Sequence, residues 1–215
     1  VDAGPRVLPI SGYVLAGGKS SRMGVDKASL MFGGRPLVEL AVEKLAGICN
    51  RVSIAGNRDD LEHVAPVVRE RRDSVGPAAG IETGLRDTPN QWCLFVPVDV
   101  PLLPAELLRN WAMDVLEAEK AGLRASYLVT NGQAQPSISM WHRECLDTVV
   151  HSLNRGERRL KNMLQGVDFD LGAGSLVVKD AADYAPPEAT AEDVTRWFLN
   201  LNTPEDFAEA ERGRE

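Results

Sequence analysis

Residues 10–27 read Ile10-Ser11-Gly12-Tyr13-Val14-Leu15-Ala16-Gly17-Gly18-Lys19-Ser20-Ser21-Arg22-Met23-Gly24-Val25-Asp26-Lys27. The apolar run Ile10 to Leu15 leads straight into thirteen residues, Leu15 to Lys27, holding three glycines, three cations and two hydroxyls. That is the layout of a β-strand opening into an anion-binding loop. Glycines let the backbone approach a ligand, and consecutive N–H groups then converge on phosphate oxygens. Arg22 and Lys27 add full positive charges where a polyphosphate needs neutralising. Two better-known loops are excluded. Gly18-Lys19-Ser20 could end a Walker A motif, but the glycine that must open it falls on Tyr13, with Gly12 one place out. No glycines in the segment keep the Gly-x-Gly-x-x-Gly spacing of a dinucleotide fingerprint either.

Working outward, strands and helices alternate. After the first strand, at 10–15, Ala28–Phe32 reads as a short extended piece. Gly33-Gly34-Arg35-Pro36 turns the chain into a helix, with Pro36 near the first-turn position it tolerates. Leu37, Leu40, Ala41, Lys44, Leu45 and Ile48 give that helix one face at three-four spacing. Arg51–Ala55 and Val64–Val68 read as the second and third strands, Ala78–Asp87 as a helix, and Trp92–Val98 as a buried strand. Helix Ala105–Lys120, strand Ala125–Val129, an extended segment at Ser137–Trp141 and helices near 143–153 and 157–165 follow. Trp197–Leu201 reads as a last strand. Thr203 then caps a closing helix, with Asp206 at capping-box distance. This alternation predicts an α/β fold with a mainly parallel sheet and helices on both faces. Such sheets bind ligands at the carboxyl ends of their strands, the edge on which the glycine loop lies.

Composition narrows the ligand. The 215 residues carry a net charge of −7, with 44% hydrophobic and 26% charged residues, as in an ordinary soluble globule. An acidic protein is a poor nucleic-acid binder, and cations gathered at one loop point instead to a small anionic ligand. Cys49, Cys93 and Cys145 form no C-x-x-C pair, so neither a disulfide framework nor a zinc site is implied, and free thiols fit the cytoplasm. No apolar run reaches the roughly 18–20 residues of a membrane span, and the start of the chain does not read as a signal peptide. One domain over residues 1–215 is expected, with residues 1–9 as a flexible extension.

Three further residues recur at strand ends. Asp99 closes Cys93-Leu94-Phe95-Val96-Pro97-Val98-Asp99, stiffened by Pro97 and Pro101. A carboxylate there could hold Mg²⁺, which takes one or two carboxylates plus phosphate oxygens; a turn or helix-cap role is the alternative. Asn57 follows the second strand, and Asp73 follows the third ahead of Gly76-Pro77-Ala78-Ala79-Gly80. Turn roles are again the alternative for each singly; their repeated position favours a site. His63, His142 and His151 lie outside these motifs and read as structural or surface residues.

With these stations in place the chain resembles the molybdenum cofactor guanylyltransferase family, nucleotidyltransferases with a glycine-rich signature loop. The likeness runs over nearly the whole chain and rests on Leu15 to Lys27, Asn57-Arg58, Asp73 with Gly76-Pro77 and Ala79-Gly80, and Pro97-Val98-Asp99-Val100-Pro101. Gly156-Glu157-Arg158-Arg159 and Leu199-Asn200-Leu201-Asn202-Thr203-Pro204-Glu205-Asp206 add to it. The resemblance implies a three-layer Rossmann-like nucleotidyltransferase fold. It implies nucleotide contacts from Leu15, Ala16, Gly17, Gly18, Lys27, Asn57, Asp73 and Asp99, catalytic roles for Arg22, Lys27 and Asp99, and Mg²⁺ on Asp99. Asn200 and Asn202 would lie toward the pterin. The implied reaction joins GMP, from GTP, to molybdenum-molybdopterin and releases pyrophosphate; contacts with other cofactor-biosynthesis or molybdoenzyme-maturation proteins go with it. Ala78 stands where leucine is frequent in the family, and Gln135-Pro136-Ser137 where some relatives carry His-Pro. Asp73, an acceptor for two adjacent donors, is the candidate for reading guanine. Rival readings are a cytidylyltransferase on the same pterin, a sugar-phosphate nucleotidyltransferase, and a non-catalytic nucleotide-binding docking protein. By resemblance the Gly17-Gly18 pair favours the guanylyl branch. Retention of Lys27, Arg22 and Asp99 together weighs against a mere binder.

Overall fold

A computed structural model describes residues 7–17, 26–72 and 75–212. Its centre is a seven-stranded sheet. The strands are β1 (Leu8–Leu15), β4 (Cys49–Ala55), β5 (Val67–Val68), β6 (Trp92–Pro97), β7 (Ala125–Thr130), β8 (Gln133–His142) and β9 (Leu176–Asp180), in the order β5-β4-β1-β6-β8-β7-β9. β2 (Met31–Phe32) and β3 (Arg35–Pro36) form a separate small hairpin. Gly33 and Gly34 turn it with φ of 58° and 79°, the two positive values that a tight hairpin turn demands. In the large sheet only β8 runs against its neighbours; β1 pairs in parallel with β4 on one side and β6 on the other. The chain therefore winds outward from β1 through β4 to β5, then jumps back to β6. The crevice between the ends of β1 and β6 is the switch point where such sheets take ligands.

Helices cover both faces. α1 (Leu37–Ala46) and α3 (Ala105–Ala118) bury Leu37, Leu45, Leu108 and Trp111 against Ile10, Val14 and Leu94. On the other face α2 (Pro77–Asp87), α4 (Leu146–Asn154) and α5 (Leu160–Leu171) pack Ile81, Val149 and Met163 on Tyr13, Phe95 and Trp141. β1 serves both cores because alternate side chains point to opposite faces. α2 lies unusually close to the sheet. A methyl group on its Gly84 would come within 2.6 Å of the Phe95 ring and 2.9 Å of Tyr13, so only glycine fits this contact.

Several expectations shift. β1 starts at Leu8, so Leu8 and Pro9 belong to the sheet and not to the expected extension. The predicted extended piece at 28–32 begins instead as a 3₁₀ turn, Lys27–Ser29, because the Asp26 carboxylate accepts the Ala28 N–H (3.2 Å) and the Ser29 hydroxyl (2.6 Å). The third strand shrinks to Val67–Val68, since Val64 and Ala65 turn back onto the Leu61 carbonyl. Residues 157–159 precede α5: the Glu157 carboxylate takes the Arg158 and Arg159 N–H groups and opens that helix. No strand forms at Trp197–Leu201. α6 (Ala191–Trp197), started by a Thr190–Asp193 capping box, ends there, and Phe198 and Leu201 are buried as parts of an irregular strap. The sheet's last strand is β9, unread in the sequence. α7 (Pro204–Arg212) closes the chain, with the Thr203–Asp206 cap as expected.

Candidate active site

The Leu15 carbonyl accepts the Val98 N–H at 3.3 Å, and the Ala16 N–H donates to the Ala55 carbonyl at 3.3 Å. Those two bonds carry the sheet pattern one step past β1 and bring Leu15 and Ala16 to the edge of the switch point. Gly17 meets the chain beyond β4 closely: a methyl on Gly56 would stand 3.2 Å from the Gly17 nitrogen. Asn57 follows on the surface at the end of β4, as the sequence led one to expect. Gly18, Arg22 and Asp73 lie outside the described residues.

Lys27 and Asp99, seventy-two residues apart, meet across the switch point. The Lys27 ammonium donates to Asp99 Oδ2 at 2.8 Å, with side chains 25% and 16% exposed. A second Lys27 bond goes to the Asn202 side-chain oxygen. The tail is thereby drawn onto the site, and the reason is local. The Leu201 N–H donates to the Asp99 carbonyl at 2.9 Å, while the Asp206 carboxylate takes the Asn202 and Thr203 N–H groups at 2.8 and 2.7 Å. Those bonds hold the Asp206 carboxyl below the usual carboxylate range. Asn200 contributes its carbonyl, which accepts from the Asn202 amide at 3.1 Å. Lys27, Asp99 and the two tail asparagines are thus one cluster.

Two residues to which the sequence reading gave no role of their own, Arg58 and Lys44, brace this cluster. Arg58, next to Asn57, forks onto both oxygens of Asp26 at 2.7 and 2.6 Å and onto both of Asp60 at 2.9 and 2.7 Å. Burial alone would raise the Asp26 carboxyl, but Ser29 and Arg58 outweigh it and hold that carboxyl low. Asp26 in turn caps the 3₁₀ turn that carries Lys27. Lys44, read as part of an apolar helix face, sends its amine beneath the Asp99 turn to the carbonyls of Val100 (3.2 Å) and Pro101 (3.1 Å). Burial pushes that amine down to about 7. A lysine set among apolar positions was the available signal for it. The histidines take no part: His142 is buried edge-on against Trp92, and the His63 ring meets the Asp60 carbonyl.

A doubly wound sheet with Gly17 at the end of β1 and a lysine and an aspartate meeting at its switch point is the architecture of a nucleotidyltransferase. The match to the MobA-like NTP transferase domain covers residues 12–170, and the chain belongs to that family of transferase enzymes. Among its relatives are proteins named molybdenum cofactor guanylyltransferase. That of Serratia proteamaculans (strain 568) is 31% identical over 87% of this chain and 93% of its own length. That of Yersinia pestis (strain Pestoides F) is 30% identical over 92% of each. The crystal structure of molybdopterin-guanine dinucleotide biosynthesis protein A from Archaeoglobus fulgidus shares the fold, with a TM-score of 0.74 at 23% identity over 95% of this chain and 98% of that one. A 4-diphosphocytidyl-2C-methyl-D-erythritol synthase from Anaerococcus prevotii shares it at a TM-score of 0.66 and 14% identity, over 95% of each chain.

Proposed function

We propose that this chain transfers a GMP unit from GTP to the phosphate of molybdenum-bound molybdopterin and releases pyrophosphate. The observation that carries the reading is the position of Lys27, bonded at once to Asp99 on the nucleotide side and to Asn202 on the tail side. The relatives' name supports the choice of both substrates. An acceptor phosphate oxygen attacks the α-phosphorus in line, the bond to the oxygen bridging the α and β phosphorus atoms breaks, and pyrophosphate leaves with that oxygen. A phosphate nucleophile is already anionic and needs no strong base, so position and charge neutralisation supply most of the acceleration. Lys27 turns its charge from Asp99 to the transferring phosphate, while Asn202 and Asn200 face the pterin. Arg22 and the Gly17 and Gly18 backbone hold the departing pyrophosphate, and Leu15, Ala16, Asn57 and Asp73 complete the nucleotide contacts.

Transferases of this kind generally use a divalent metal, and the donor set fits one. Asp99 offers a single, mostly buried carboxylate, and no group of three His, Cys, Asp or Glu side chains forms a metal site among the described residues. One carboxylate completed by nucleotide phosphates is what Mg²⁺ accepts. In our reading Asp99 holds Mg²⁺, which when bound neutralises phosphate charge. We read residues 1–215 as one catalytic domain working in the cytoplasm without nucleic acid or membrane, alongside other proteins of cofactor biosynthesis or molybdoenzyme maturation. Among the described residues no helix is long and apolar enough to cross a membrane, and Cys49, Cys93 and Cys145 are free thiols.

Pyrophosphate release from GTP and molybdenum-molybdopterin tests the site. Asp99→Ala should fold, because a partly exposed ion pair contributes little to stability, and should lose at least about 10²-fold in rate, the scale of one electrostatic stabiliser. Near-normal turnover by the folded variant would remove Asp99 from the metal role.

A further inference from the structure

We propose that Glu82 and Arg72 form a clamp that positions the nucleotide side of the site: by fixing the connection between β5 and α2, the pair sets the affinity for the nucleotide and leaves the transfer step to Lys27 and Asp99. The inference rests on the proposed nucleotidyl transfer and deepens it. Among the described residues Glu82, on α2, is the one buried carboxylate, 3% exposed. A charge taken out of water is costly unless it is paired and hydrogen-bonded, and both oxygens of Glu82 are. Arg72 Nε donates to Oε2 at 2.7 Å, and Arg86 donates to Oε1 through Nε at 3.2 Å and Nη2 at 3.0 Å. Burial alone would raise the Glu82 carboxyl, but the two guanidiniums outweigh it and hold that carboxyl low.

The two arginines play different parts. Arg86 sits four residues after Glu82 on the same helix, so its bonds neutralise the carboxylate without joining separate elements. Arg72 belongs to the chain that leaves β5, and its bond ties that chain to α2. Its Nη2 also donates to the Asn154 side-chain oxygen at the end of α4, at 2.8 Å. One planar guanidinium thus holds a single point of the chain from two directions. The chain needs such a fastening, because β5 is only Val67–Val68 and lies at the edge of the sheet beside β4. α2 does not, since Ile81 and Leu85 already pack it into the core. What hangs from the fastened point is the nucleotide side. Two residues before Arg72, the Glu70 carboxylate lies 2.6 Å from where a methyl on Gly17 would stand. Asp73, a proposed nucleotide contact, is the next residue in sequence. Slack at Arg72 is therefore slack in the wall beside Gly17, and binding geometry tolerates little of it.

The test compares Arg72→Met with Arg86→Met, because both arginines touch the same carboxylate and their side chains are almost equally exposed, at 30% and 31%. Equilibrium binding of GTP with Mg²⁺ is measured for each, together with kcat and KM from pyrophosphate release. Arg72→Met should raise Kd and KM for GTP about tenfold and change kcat less, the mark of lost binding that ground state and transition state share. Arg86→Met should leave Kd and KM within about twofold. Arg72→Lys, which keeps the charge and loses the fork, should fall between them. Asn154→Ala alters an exposed side chain and should raise Kd about threefold in a fully folded protein, which decides the matter if Arg72→Met does not fold. A merely structural Glu82 would make the two methionine variants alike, with lowered melting temperatures and an unchanged Kd. Equal effects of Arg72→Met and Arg86→Met on Kd, or GTP binding undiminished in both Arg72→Met and Asn154→Ala, would overturn the clamp. Tighter binding of CTP than of GTP by the unmodified protein would overturn the GTP reading alone, and the same contrast measured with CTP would then decide the clamp.

Discussion

In the role we propose, Lys27 must deliver its ammonium to one place, and a lysine side chain has four flexible carbons with which to miss it. The protein answers with a chain of rigid contacts: Arg58 forks onto Asp26, Asp26 caps the turn, and the turn aims Lys27. A guanidinium holding two carboxylates at once is well suited to the first link, since its planar fork is already organised. On the proposed reading Arg58 is a positioning residue, and its effect runs through Lys27. We expect Arg58→Ala to lower kcat about tenfold with a smaller change in KM, and Lys27→Ala to lower it further while leaving the melting temperature nearly unchanged. The two should not add: the double variant should be no slower than Lys27→Ala alone. Fully additive losses in such a cycle would show that Arg58 acts elsewhere. Asp26 and Lys27 were legible as part of one motif in the sequence. Their link to Arg58, thirty-two residues on, was not, because a fork between loops leaves no periodic trace.

Among the elements, those with a strong local signal were read correctly and those made by tertiary packing were not. The three-four spacing of α1, the continuous apolar run of β6 and the Thr203–Asp206 cap all follow from local chemistry. β9 escaped because Leu176-Val177-Val178 is short and lies at the sheet edge, with Val178 exposed. The apolar run Trp197–Leu201 looked like a strand, yet its backbone is committed otherwise: Phe198 and Leu199 close the end of α6, and Leu201 bonds the Asp99 carbonyl. That docking is what brings Asn202 to Lys27, so one of the misread elements is the one that draws the tail onto the site. The clearest prediction at this scale concerns α2. Gly84→Ala places a methyl against Phe95 and Tyr13, which stack at a ring-centroid distance of 5.3 Å. Forced overpacking of a filled core costs about 1–3 kcal/mol, and urea unfolding should report a loss of that order. Unchanged stability would mean that α2 rides further from the sheet than described.

For the molecule as a whole, Lys44 ties the α1 core to the Asp99 turn and makes stability depend on pH. Its folded amine is pushed down to about 7 by burial, whereas an unfolded lysine titrates near about 10.4. Between those values the unfolded chain holds a proton that the folded chain has lost, so this group makes stability rise with pH across that window. Below about 7 both states are protonated and the slope vanishes. Relative to Lys44→Met, the unmodified protein should therefore gain stability between pH 7 and pH 10 in urea unfolding; a difference independent of pH would contradict the buried amine. In the function we propose, sheet, glycine loop, Lys27, Asp99 and the docked tail act together in guanylyl transfer. The most direct measurement is kcat/KM for GTP, CTP and ATP with molybdenum-molybdopterin as acceptor and pyrophosphate as readout. Transfer should be Mg²⁺-dependent, with GTP ahead of the other two by at least about 10²-fold, the scale on which a hydrogen-bonding base pocket discriminates. Equal or better use of CTP by the unmodified protein would contradict it.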